Sequence, residues 1–154
     1  MWRQVTLDVH LEHPPARVFP HFADPGTWPD WAPAVEMRRR VGGGPPGVGS
    51  RWSAVDRILG PFRVRFEDVP EVVEPEVRVV WHSTSPWNSR VEYTCAPEDG
   101  GTRVHADYGG DVAGWLRLVA LLPTFVLARI LMRDFAGLQR LLDAEDARAV
   151  AESA

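Results

Sequence analysis

Two adjoining stretches decide how this chain folds: VEYTCAPEDGGTRVHADYGG, residues 91–110, and DVAGWLRLVALLPTFVLARILMRDFAGLQRLL, residues 111–142. In the first, Val91, Tyr93 and Cys95 alternate with Arg90, Glu92 and Thr94, and Val104, Ala106 and Tyr108 alternate with Arg103, His105 and Asp107. Glu98-Asp99-Gly100-Gly101 between them is a hairpin signal. A period of two with one apolar face predicts two antiparallel strands, each covered on one side. After Gly109-Gly110 the period changes to about 3.6. Leu127, Leu131, Phe135, Leu138 and Leu142 form a stripe, with Arg129, Arg133, Arg140 and Asp143 away from it. That pattern predicts one long helix to about Ala149, which Pro123 begins or kinks.

Working outward, Trp2 to Leu11 alternates as a strand with Val5, Leu7, Val9 and Leu11 on its covered face. Pro14-Pro15 stops it, and Val18, Phe19 and Phe22 then fall at helical spacing. DPGTWPDWAPAV, residues 24–35, follows as a second short helix or turn stiffened by Pro25, Pro29 and Pro33. From Ala34 the period of two returns, in strands at Val35 to Val41, Arg51 to Leu59, Phe62 to Val73 and Val77 to Ser83, then Ser89 to Ala96 and Thr102 to Tyr108. Short connections make these an antiparallel meander, and Pro70 predicts a bulge or kink inside the longest strand. The fold class is therefore α+β: about seven strands in the order β-α-α-β6-α. With one long helix to cover its apolar face, the sheet must curl around that helix and leave a space between them. Residues 1–147 read as a single domain, and 148–154 as a flexible polar tail.

All 17 basic residues are arginine, net charge is −4, and Arg38-Arg39-Arg40 is the one dense basic run. That balance argues against nucleic-acid binding, and the run reads as a solvated strand end before the Gly42 to Gly49 loop. Cys95 is the single cysteine, so no intrachain disulfide forms. The N-terminus lacks a signal core, and Arg117, Pro123 and Arg129 interrupt the apolar stretch Trp115 to Met132, so no transmembrane segment is expected and a cytoplasmic location is the default. His10, His13, His21, His82 and His105 are scattered without metal-ligand spacing, and no nucleophile elbow or phosphate loop is present. No metal or cofactor is expected.

The element order and four local pieces resemble the START-like (SRPBCC) superfamily with its helix-grip fold, and within it the polyketide cyclase/dehydrase and lipid-transport type of bacterial protein. The pieces are PPARVFPHFADPGTWPDW, PGVGSRW, EDGGTRVHADY and FAGLQRLLDAE, and the resemblance spans about residues 2–146. It implies a cavity between sheet and helix, with Phe22, Trp28 and Trp31 capping one end. The other reading of Trp28 and Trp31 is as apolar plugs with bonded indole N–H groups.

Strand parity sorts the candidate lining. Trp52, Asp56, Ile58, Val64, Phe66, Trp81, Tyr93 and Tyr108 fall on inward faces with Ser83, and the helix contributes Leu131, Phe135 and Leu138. Apolar walls with a few polar groups suit a small hydrophobic or amphipathic ligand such as a lipid, polyketide or quinone-like compound. Asp56, Tyr93 and Tyr108 are the candidate acid/base groups, should the protein be a polyketide aromatase/cyclase or dehydrase. Asp56 has two readings: inward with a raised pKa, or turned outward to pair with Arg57 or Arg65. A further alternative is an interaction module with a filled core, meeting a second copy or another protein through Trp115 to Leu122.

Overall fold

Alternation and punctuation in the sequence become a seven-strand antiparallel sheet in the computed structural model, which describes residues 2–45, 47–58 and 60–154. The strands are β1 Arg3–Leu11, β2 Val35–Val41, β3 Arg51–Ile58, β4 Phe62–Glu74, β5 Arg78–Ser83, β6 Ser89–Glu98 and β7 Gly101–Gly110. Leu59, expected at the end of the third strand, and Pro46 of the Gly/Pro loop lie outside the described residues. The sheet order is β1-β7-β6-β5-β4-β3-β2, so the sheet curls without closing and β1 and β2 are its edges. The expected irregularity at Pro70 is present as a register shift between Pro70 and Val72. A second shift, between Val35 and Met37 on β2, has no proline or glycine to announce it.

Helix α1, Pro15–Ala23, begins with proline at its first positions and ends at Asp24, whose side chain accepts from the Gly26 N–H and opens the 3-10 helix Pro25–Asp30. Val18, Phe19 and Phe22 are its buried side. After β7 comes a short turn, Gly114–Leu116, running into α2, Arg117–Ala120, and then α3, Thr124–Glu152. Pro123 therefore begins the long helix, and the chain bends by 100° there. The helix continues through Glu152, past the expected end near Ala149 and into the segment read as a tail. Arg3 of β1 holds the bend: its guanidinium donates to the carbonyls of Ala120 (3.0 Å) and Leu122 (3.2 Å) and to the Thr124 hydroxyl (3.1 Å).

The two halves of α3 differ. Its second half supplies Phe135, Gly137, Leu138 and Leu142 to the main core, with Val79, Trp81, Tyr93, Val104 and Ala106 from the sheet. Side chains clamp this half down. His13 lies 2.8 Å from Asp143, Arg17 pairs with Glu145 and Asp146, and Gln139 accepts the Glu12 N–H at 3.0 Å. Along the first half no residue is fully buried, and Phe125 and Ile130 are exposed. In the segment 115–122, Leu116 is buried in a second, smaller apolar cluster with Ala54, Val64 and Phe66, whereas Trp115, Leu118 and Leu121 are exposed. No single helix among the described residues is long and apolar enough to cross a membrane.

At Gly137 α3 packs directly on the residue that ends the 3-10 helix: a Cβ there would land on the carbonyl oxygen of Trp31. Because that neighbour is backbone, the helix itself has to move. Gly137→Ala is expected to cost about 1–3 kcal/mol, read as a lowered urea midpoint with little change in the denaturant slope.

Candidate functional site

Between the two apolar clusters the inner face of the sheet carries charge. The bulge between Val35 and Met37 changes the parity of β2, so Arg38 stands opposite Ala54 on the covered face. The Arg38 side chain is 4% exposed. It is not the solvated strand-end residue that the Arg38-Arg39-Arg40 run suggests. Its guanidinium donates to Asp56 Oδ1 at 2.8 Å and to the Met37 carbonyl at 3.0 Å. Its Nε lies 2.7 Å from Asp68 Oδ2, a contact of opposite charges without hydrogen-bond alignment. The rings of Trp28 and Phe66 cover it, with centroids 5.2 and 5.1 Å away.

Asp56 therefore points inward, and its partner is Arg38 in place of Arg57 or Arg65. Burial pushes its carboxyl above the ordinary carboxylate range, Arg38 pulls it back, and the nearby Asp68 adds to the rise. Asp68 is 2% exposed and accepts from the Ser83 hydroxyl at 2.5 Å. Burial also raises its pKa, against the pull of Arg38 and Ser83.

From the opposite wall comes a residue the sequence reading passed over. Asp134 sits on the stripe side of α3, between Leu131 and Phe135, within electrostatic reach of Asp56, Tyr93 and Tyr108. Among the described residues it makes no hydrogen bond or ion pair. Burial, and then the charge of Asp56, push its pKa up to about 7. Spacing could have found it, since 127, 131, 134 and 138 share one helical face. Tyr108 donates to the Tyr93 hydroxyl at 3.3 Å. Burial raises both phenols well above their ordinary range. The Tyr93 ring stacks on Phe22 at 4.4 Å and meets Phe135 edge-on at 6.4 Å.

The remaining predicted lining divides by depth. Val64, Phe66, Trp81, Phe135 and Leu138 are closed within the core, while Trp52, Asp56, Ile58, Tyr108 and Leu131 keep part of their surface accessible, as does the unpredicted Asp134. Trp81 donates its indole N–H to the Phe22 carbonyl at 2.9 Å, Trp28 to the His21 carbonyl at 2.8 Å, and Trp31 to the Thr27 hydroxyl at 3.3 Å. All three are buried plugs with bonded N–H groups. Phe62 shares the inward parity of β4 but extends past the core, exposed, with its ring 5.8 Å from Trp115. Two surface clefts, of ≈ 320 and ≈ 350 Å³, lie outside the grip, and Trp31 is the one predicted site residue lining either. Cys95 is buried, and burial pushes its thiol up to about 12. Among the described residues no group of three or more His, Cys, Asp or Glu side chains is placed to hold a metal ion.

The model of the family described as "Polyketide cyclase / dehydrase and lipid transport" matches residues 3–143. The chain belongs to that family. Among curated proteins none matches. Solved structures similar to this polyketide cyclase/dehydrase and lipid transport family member include TTHA0849 from Thermus thermophilus, at a TM-score of 0.73 and 21% identity over 92% of this chain and 99% of that one. Protein NE0264 from Nitrosomonas europaea is similar at 0.71 and 17% identity, over 94% of this chain and 96% of that one. SA2116 from Staphylococcus aureus, described as a protein of unknown function, is similar at 0.71 and 10% identity over 96% and 97%. At these identities the likeness is one of fold.

The charged band makes two measurable commitments. Arg38→Met leaves two buried carboxyls without their cation, a loss of about 3–5 kcal/mol at neutral pH. The deficit should shrink toward pH 5 as those carboxyls take up protons, which urea unfolding at the two pH values will show. For Asp134 the folded-state pKa, about 7, lies above the ordinary 3.8. Its contribution is therefore lost as pH rises: there is no cost below 3.8, and the full cost is reached above about 7. Asp134→Asn should raise stability at pH 8, leave it nearly unchanged at pH 4, and flatten the decline between.

Proposed function

We propose that this chain binds a small hydrophobic or amphipathic molecule between its sheet and the first half of α3, and serves as a carrier or binding protein for it. The observation that carries this reading is the accessible surface kept by inward-facing residues. Trp52, Ile58, Tyr108 and Leu131, inward by strand parity or helical spacing, keep part of their surface accessible, while Tyr93, Phe135 and Leu138 are closed, which supports reading the accessible surface as the wall of a helix–sheet site. Apolar walls around a small set of polar groups are what a site for such a ligand requires. Burying ligand carbon there contributes on the order of 25 cal/mol per Å² before ordering costs. Entry past the α2–α3 bend is supported by the exposed apolar side chains of Leu118, Leu121 and Phe125 there. The family description, which joins polyketide cyclase/dehydrase with lipid transport, is in keeping with a lipid, polyketide or quinone-like ligand.

A second reading, catalysis of the cyclase or dehydrase kind, is favoured by one observation. Asp134, with a pKa near 7, is poised to exchange protons at neutral pH beside the Tyr93–Tyr108 pair. Turnover of a poly-β-keto substrate lost in Asp134→Asn, with binding retained, would move the protein into that class.

Native mass spectrometry of freshly purified protein, followed by solvent extraction, tests the binding reading. The expected result is a one-to-one apolar adduct that Leu131→Asp abolishes. An apo mass that persists after incubation with an apolar cell extract would contradict it.

A further inference from the structure

We infer that the elbow between α2 and α3 docks the protein on an anionic lipid surface, with its apolar side chains among the acyl chains and its arginines at the headgroups. The inference goes beyond the binding reading above and stands without it. Its basis is where the chain leaves large apolar side chains uncovered and which charges flank them.

Four aromatic residues are exposed among those described, Trp2, Phe62, Trp115 and Phe125, and all four lie at the end of the grip where the chain bends. The Phe62 and Trp115 rings are 5.8 Å apart. Trp2 packs against Gly109 and precedes Arg3, which binds the carbonyls of Ala120 and Leu122. On either side of the 100° bend, Leu118 and Leu121 are 68% exposed and Phe125 is 75% exposed. An uncovered apolar patch of this kind marks a surface that something meets.

Charge selects what meets it. Residues 112–133 hold Arg117, Arg129 and Arg133 and no Asp or Glu, in a chain of net charge −4. All three arginines are exposed and none is in an ion pair among the described residues, although Asp111 lies within electrostatic reach of Arg117. At helical spacing Arg129 and Met132 follow Phe125 along the face of α3 turned away from Leu127, Leu131 and Asp134. Asp143, Glu145 and Asp146 sit in the second half of the helix, where they meet His13 and Arg17. An anionic bilayer matches this pairing: aromatic and leucine side chains enter the interface, arginine stems follow them with the guanidinium groups at the phosphates, and the acidic remainder of the chain faces water. A second copy fits poorly, because a two-fold contact through the same patch sets these arginines against one another. No single helix among the described residues is long and apolar enough to cross a membrane, so the elbow lies on the surface.

The test sediments the full chain with phosphatidylcholine vesicles, with and without about one-third phosphatidylglycerol, at about 50 and about 500 mM salt. Partition onto the anionic vesicles should exceed that onto the neutral ones at least about tenfold at the lower salt, and fall several-fold at the higher. Leu118→Asp with Phe125→Asp should abolish the association, and Arg129→Glu with Arg133→Glu should bring the anionic vesicles down to the neutral level. Val150→Asp, at a comparably exposed apolar site near the other end of α3, should leave partition unchanged. The lipid and salt dependence are read on the unaltered protein, so they test the inference whether or not a variant keeps the wild-type circular dichroism. Association with neither vesicle, equal association with both, or anionic binding that survives Leu118→Asp with Phe125→Asp overturns the inference. So does a light-scattering mass that rises with concentration and returns to that of one chain in this variant, which assigns the patch to a second copy. None of these outcomes bears on uptake of a ligand between sheet and helix.

Discussion

A seven-strand sheet with one apolar face needs covering, and this chain has a single long helix with which to cover it. Curling the sheet brings β1 and β7 round to meet the helix, but a rod of that length cannot seat evenly on a curved surface. Where it does seat is fixed by Gly137, which lets α3 approach the Trp31 carbonyl, and by the His13 and Arg17 contacts to Asp143, Glu145 and Asp146. Those contacts all lie in the second half. The first half, begun at Pro123 and held by Arg3, has no fully buried residue.

That band is costly for a structure that needs only stability. Burying a guanidinium and carboxyls is at best neutral against well-packed hydrocarbon of the same volume, because desolvation consumes most of the Coulomb gain. Arg38 is nevertheless sandwiched between Trp28 and Phe66 and bridged to Asp56 and Asp68, which fixes the orientation of both carboxyls and separates the two apolar clusters. Asp134 faces the band from the helix with no cation of its own among the described residues. Together these give the inner face of the sheet a defined polar patch, which an all-apolar core would lack.

Most of the architecture was legible because alternation survives wherever strands are regular. In β5, β6 and β7 Val79, Trp81, Tyr93, Cys95, Val104 and Ala106, on the inward parity, are buried, although Val91 and Tyr108 of the same faces stay partly accessible and Val80, on the outward parity, is buried as well. Alternation failed at β2. Counting by twos from Val35 sends Met37 inward and Arg38 out, and the bulge between Val35 and Met37 reverses this with no local residue to betray it. The basic run then looked like a solvated edge when its first member is buried. Asp134 was overlooked for a different reason: an acidic residue between Leu131 and Phe135 reads as the polar side of a helix unless its angular position is followed. The indole environments of Trp28 and Trp31 follow from chain turns that fix which carbonyl or hydroxyl each N–H meets, which composition alone does not disclose.

The central claim, that the space beneath the first half of α3 takes up an apolar ligand, is tested most directly by the tryptophan indole N–H resonances during titration with dodecanol. Trp52 is the partly accessible indole proposed to line that space, whereas Trp28 and Trp81 are plugs bonded to the His21 and Phe22 carbonyls, and Trp2 and Trp115 are exposed. The account predicts a saturable shift of the Trp52 resonance with Trp28 and Trp81 little moved. Shifts confined to Trp2 and Trp115, with Trp52 unchanged, would contradict it and locate dodecanol binding on the outer surface.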